Sequence, residues 1–67
     1  ALREIYLDEI KTKSIMLGKQ IKLDDSNFLY NEKLKIYDSN KNFVGIGVYT
    51  NKKLKPSRLI KFIPNFS

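Results

Sequence analysis

The chain has no cysteine, no histidine and no tryptophan, and only two prolines and one methionine. Each absence removes a class of chemistry. Without Cys there is no disulfide, and without Cys and His there is no Cys/His zinc site. Neither Ser-His-Asp nor Cys-His nucleophilic catalysis is available. No aliphatic run is longer than Ile15-Met16-Leu17, far short of the roughly 20 apolar residues of a spanning helix. No basic segment leads into an apolar one at the start, so no signal peptide is read. A length of 67 residues allows one small domain at most. So short a chain buries a modest share of its surface, and its stability is expected to lean on a neighbouring domain or a ligand. The opening Ala1-Leu2-Arg3 lacks Met, and the expectation is one domain over residues 1–67, cut from a longer chain.

What is present is positive charge, unevenly placed. The formal charge is +6. Residues 1–32 hold five bases and six acids, a net charge of −1. Residues 33–67 hold eight bases and one acid, Asp38, a net charge of +7. Such asymmetry points to an anionic partner for the second half, nucleic acid first and acidic membrane second. AT-rich coding also inflates Lys, which outnumbers Arg 11 to 2. That bias alone would raise Lys in both halves, whereas the first half offsets its bases with acids.

The pattern along the chain is mainly β with one helix. Arg3 to Leu7 reads as a short strand with Ile5 and Leu7 on one face. Asp8 suits a helix N-cap and Glu9 places negative charge in the first turn. Leu7, Ile10, Ser14 and Leu17 share one helical side, with Ile15 at its margin, and Gly18 stops the helix near residues 9–17. Gln20–Leu23 is a short strand, and Asp24-Asp25-Ser26-Asn27 a turn. Lys33–Tyr37 alternates, with Leu34 and Ile36 inward and both lysines outward. Asp38–Asn42 closes a hairpin onto Phe43–Tyr49. There Val44, Ile46 and Val48 share one face, and Phe43, Gly45, Gly47 and Tyr49 the other. Two glycines on one strand face predict a sharp bend or a close backbone approach. Asn51 lies in the next turn and tolerates a left-handed conformation. Leu54–Ser57 is extended by Pro56, and Arg58–Ile63 forms a last strand ended by Pro64. Short strands, tight turns and one helix predict a small, partly closed β-barrel.

Three segments resemble one family in order and spacing. They are Leu7-Asp8-Glu9 through Leu17-Gly18-Lys19-Gln20-Ile21; Leu34-Lys35-Ile36-Tyr37-Asp38 with Phe43-Val44-Gly45-Ile46-Gly47; and Leu54-Lys55-Pro56-Ser57-Arg58-Leu59-Ile60. Together, over nearly the whole chain, they resemble the C-terminal PUA-like domain of the bacterial TruB-type tRNA pseudouridine synthases. Two departures touch surface detail. The turn glycine often found in that family's last hairpin is missing, since Lys52 follows Asn51, and Ser57 stands where a second base usually accompanies the Arg. The resemblance implies a small PUA-like pseudo-barrel of mostly antiparallel strands that holds the acceptor side of tRNA. A catalytic domain upstream would isomerise the uridine with an aspartate. The implied partners are tRNA and that catalytic domain, with no membrane, no metal and no cofactor, in the cytoplasm. Asp8 is not that aspartate. The family's catalytic Asp lies in a Gly-x-Leu-Asp-Pro-like setting, and Leu7-Asp8-Glu9 lacks both the Gly and the Pro.

The candidate RNA contacts are Lys53, Lys55, Arg58 and Lys61, clustered around the last turn and strand. Arg58 is the sharpest of them, because a guanidinium grips phosphate bidentately. Lys33 and Lys35 are exposed and serve either as phosphate contacts or as the charged edge that resists aggregation. Tyr37 and Tyr49 either stack on unpaired bases or belong to the core rim. Asp24-Asp25 offers too few ligands for a cation. Two other classes stay open: a stand-alone SH3-like or ribosome-associated basic β-barrel, and a structural appendage that packs on a catalytic domain without touching RNA.

Overall fold

The computed structural model describes residues 1–23 and 27–60. The Asp24-Asp25 turn, Lys61 and the end of the expected last strand lie outside them. The described elements run β1 (Arg3–Tyr6), α1 (Glu9–Met16), β2 (Ile21–Lys22), β3 (Glu32–Tyr37), β4 (Phe43–Thr50) and β5 (Lys53–Leu59). The strands form one curled sheet in the order β1-β3-β4-β5-β2. Every neighbouring pair is antiparallel except β1 with β3, which is parallel.

The helix begins and ends where its capping residues dictate. The Asp8 carboxylate accepts the backbone N–H of Lys11 at 2.8 Å, satisfying one of the free donors of the first turn. At the other end Gly18 takes φ +84. Its N–H donates to the Ile15 carbonyl, and that of Lys19 to the Ser14 carbonyl. This pair of bonds is the Schellman arrangement, which favours glycine. The buried helix face differs from the sequence expectation. Thr12 and Ile15 point into the core, while Ile10 is 78% exposed and Leu17 73%. Leu7 enters the core from the chain segment before the helix, so it does not mark which side of the helix faces inward.

The core is built on Leu7, Ile15, Ile21, Leu23, Leu34, Ile36, Val44, Tyr49 and Leu54. Leu34 and Ile36 face inward and Lys33 and Lys35 outward, as the alternation predicts. On β4 a bulge breaks the alternation. Ile36 pairs with Gly45 but Tyr37 pairs with Phe43, leaving Val44 as the extra residue. Phe43 therefore turns outward beside Tyr37, and Val44 is buried together with the inward set Gly45, Gly47 and Tyr49. Ile46 and Val48 lie on the outer face, half-buried. The expected grouping of Val44 with Ile46 and Val48, and of Phe43 with the glycines, fails at this one inserted residue.

The glycines do mark close approaches. A Cβ on Gly45 would meet the Arg58 carbonyl oxygen at 2.3 Å, and one on Gly47 would meet the Cδ1 atoms of Ile36 and Leu54 at 2.9 Å. At Gly47 the side chains of Ile36 and Leu54 fill the space left open, and at Gly45 the backbone of β5 does.

The chain from Lys53 to Leu59 is one continuous strand rather than an extended segment followed by a separate one. Pro56 is accommodated beside a second bulge: Gly47 pairs with Pro56 and Ile46 with Arg58, leaving Ser57 extra.

Candidate nucleic-acid interface

The Ser57 bulge decides which way Arg58 faces. In unbroken alternation from the outward Lys53 and Lys55, Arg58 would point into the core and Leu59 outward. The extra residue reverses the phase. Arg58 pairs with the outward Ile46 and is exposed, while Leu59 pairs with the inward Gly45 and packs on the core.

Register then assembles the outer face. One row runs Glu4, Lys35, Ile46, Arg58 across four strands. The next runs Lys33, Val48, Lys55. A third joins Thr50, Lys53 and Lys22. At a strand spacing of ~4.8 Å, Lys35 and Arg58 stand ~10 Å apart at the backbone, on either side of Ile46. Lys33, Lys35, Lys53, Lys55 and Arg58 are thus brought onto one surface. Among the described residues, none of them is held in an ion pair. Lys22 joins them, a residue that sequence reading passed over. Its signal was the outward position in the Ile21-Lys22-Leu23 alternation.

The two tyrosines separate. Tyr37 lies on the outer face, its ring stacked on Tyr6 at 5.1 Å and edge-on to Phe43 at 5.5 Å. Tyr6 donates to the Glu4 carboxylate at 3.2 Å and Tyr37 at 3.4 Å. Partial burial, and then the neighbouring Glu4 carboxylate, push both phenols up, so both keep their protons. Tyr49 faces the other way. It is 5% exposed, with the Phe28 ring 5.5 Å off, so it is a core residue outside the outward basic surface.

The β3–β4 turn is held by Asp38. Its carboxylate accepts the backbone N–H groups of Asn40 and Asn42 at 2.8 and 2.9 Å, and the Asn42 bond leads in holding its pKa down. This acid is spent on the turn. Among the described residues, no group of three or more His, Cys, Asp or Glu side chains is placed to hold a metal ion. No helix among them is long and apolar enough to cross a membrane.

No curated protein matches the chain. The family described as pseudouridine synthase II TruB, C-terminal, matches residues 4–60. That span takes in the outer basic rows, the capped helix and both bulges, and the chain belongs to this TruB C-terminal domain family.

Proposed function

We propose that the chain is a PUA-like RNA-docking module, one domain over residues 1–67, of a tRNA pseudouridine synthase acting in the cytoplasm. It contributes binding energy and orientation on the acceptor side of tRNA, while a separate N-terminal domain carries out the isomerisation. The observation that carries this reading is the basic surface, where Lys33, Lys35, Lys53, Lys55 and Arg58 converge with no ion pair to any of them among the described residues. Free cations held in register by a sheet are suited to the regular phosphates of an RNA backbone, and such recognition is by shape rather than base sequence. Lys61, outside the described residues, would extend the same charge.

The helix supports the second partner. Ile10 and Leu17 lie on the side of α1 turned away from the core, an apolar face suited to contact with the catalytic domain. The appendage reading shares that contact and differs only in denying the RNA role. The deciding experiment reverses Lys53, Lys55 and Arg58 to Glu in the whole protein and measures tRNA affinity across a salt series. A loss of affinity that is greatest at low salt is expected. Unchanged tRNA binding would leave the appendage reading in its place.

A further inference from the structure

Beside the β4–β5 turn, on the side of the sheet away from the basic rows, lies an open cleft of about 390 Å³ lined by Phe28, Tyr30, Tyr49, Asn51 and Lys52. Its size falls within the roughly 300–1,000 Å³ of small-ligand sites. Its lining residues are three aromatics, an asparagine and a lysine. We propose that it takes one unpaired nucleotide of an RNA, the base against the aromatic wall and a phosphate on Lys52; the proposal rests on the RNA-docking reading.

Tyr30 is 69% exposed, an amphipathic ring with one end free to meet a partner. The segment that carries it is fixed from below. Arg3 donates through Nη2 to the Asn27 carbonyl at 2.6 Å, and its guanidinium lies 4.7 Å over the Phe28 ring. The Glu32 carboxylate accepts the Leu29 N–H at 2.9 Å. Asn31, in a left-handed conformation, donates its N–H to the Tyr49 carbonyl at 2.7 Å. The backbone that carries the aromatic wall is therefore set before any ligand arrives, which lowers the ordering cost of binding.

The turn supplies an independent observation. Asn51 and Lys52 have φ of 45 and 63, the two left-handed positions of a two-residue hairpin turn. Asn-Gly is the favoured pair there. A lysine at the second position holds a strained backbone, and this residue lines the cleft. Strain kept at a position where glycine would relieve it points to use of the side chain. Lys52 also precedes Lys53 of the basic surface, so a strand tracking those cations reaches the cleft at the turn.

The test compares two RNA duplexes of equal length, one blunt and one ending in three unpaired uridines. The protein is expected to bind the tailed duplex about tenfold more tightly, as for one stacked base. Tyr30→Ala removes that preference and leaves blunt-duplex binding intact, while Tyr30→Phe keeps it. Lys52→Gly raises the melting temperature and still weakens binding of the tailed duplex, an opposition that a purely structural lysine would not give. Equal affinity of the wild type for both duplexes, or a preference that survives Tyr30→Ala, overturns the cleft assignment. If blunt-duplex binding nonetheless responds to the Lys53, Lys55 and Arg58 reversals, the docking reading stands without it. If neither duplex binds, both fall.

Discussion

Arg3 and Glu32 form a two-pronged ion pair, with Nε to Oε2 and Nη2 to Oε1 both at 2.7 Å, joining β1 to the start of β3. The Arg3 bonds first, and the Leu29 N–H second, hold the Glu32 carboxyl at about 2, below its ordinary 4.5. A lowered pKa means that the folded state favours the charged form. The contribution is fully present above pH 4.5 and is lost as pH falls through about 2. Thermal unfolding followed from pH 6 to 2 should show a steeper loss for the wild type than for Glu32→Gln. Asp38, lowered by its turn bonds, leaves a smaller slope in the variant.

Arg3→Lys should lower the melting temperature even though charge is kept. Lysine lacks the planar fork that meets both carboxylate oxygens, and it stacks less well over Phe28. Restoration of wild-type stability by Lys at this position would mean that charge alone suffices.

The glycines should rank by what their missing Cβ would touch. Gly45→Ala forces an atom to 2.3 Å from backbone, the Arg58 carbonyl oxygen, and should be the most damaging. Gly47→Ala meets side-chain methyls at 2.9 Å and should cost ~1–3 kcal/mol as overpacking. Gly18→Ala has open space and costs ~1 kcal/mol through its left-handed backbone alone. Urea denaturation of the three variants gives the order directly.

Asp8→Ala should destabilise the protein by ~1 kcal/mol through loss of the Lys11 N–H bond, while Asp8→Asn or Asp8→Ser retains most of it. The readout is the denaturation midpoint at unchanged slope.

Neutralising the basic rows singly should weaken RNA binding uniformly across sequences. For Lys33→Gln, Lys35→Gln or Lys55→Gln, the slope of log affinity against log salt should shrink by about 0.7–0.9 for each phosphate that the lysine had neutralised. A changed sequence preference with an unchanged slope would exclude phosphate binding by that residue.

Local chemistry made much of the architecture legible in the sequence. Asp8 and Gly18 fix the helix ends through bonds within one turn, and Lys33–Tyr37 shows its two faces by alternation. The glycines of β4 announced a close approach. What could not be read depends on contacts between distant segments. The Val44 and Ser57 bulges each shift a strand's phase by one residue, and only the partner strand shows where. Ile10 and Leu17 suggested a core-facing helix side, but the docking angle on the sheet selects Thr12 and Ile15. All five clustered cations stand out in the sequence, yet Arg58 joins the four lysines only through the Ser57 insertion that turns it outward. The Phe28–Tyr30 cleft was missed because its two walls are far apart in the chain, and neither reads as a motif.

The parallel pairing of β1 with β3 also bears on how long the folded state lasts. The hairpins β3–β4 and β4–β5 close short loops, whereas the Arg3–Glu32 bridge spans 29 residues, and closing the longer loop costs more entropy. The order of assembly that follows is hairpins first, and the long-range pairings of β1 with β3 and β2 with β5 after them. A contact made after the rate-limiting step governs escape rather than arrival. Weakening β1, as with Ile5→Val, should hasten unfolding while refolding keeps its pace, making the first strand one of two clasps on the lifetime of the fold.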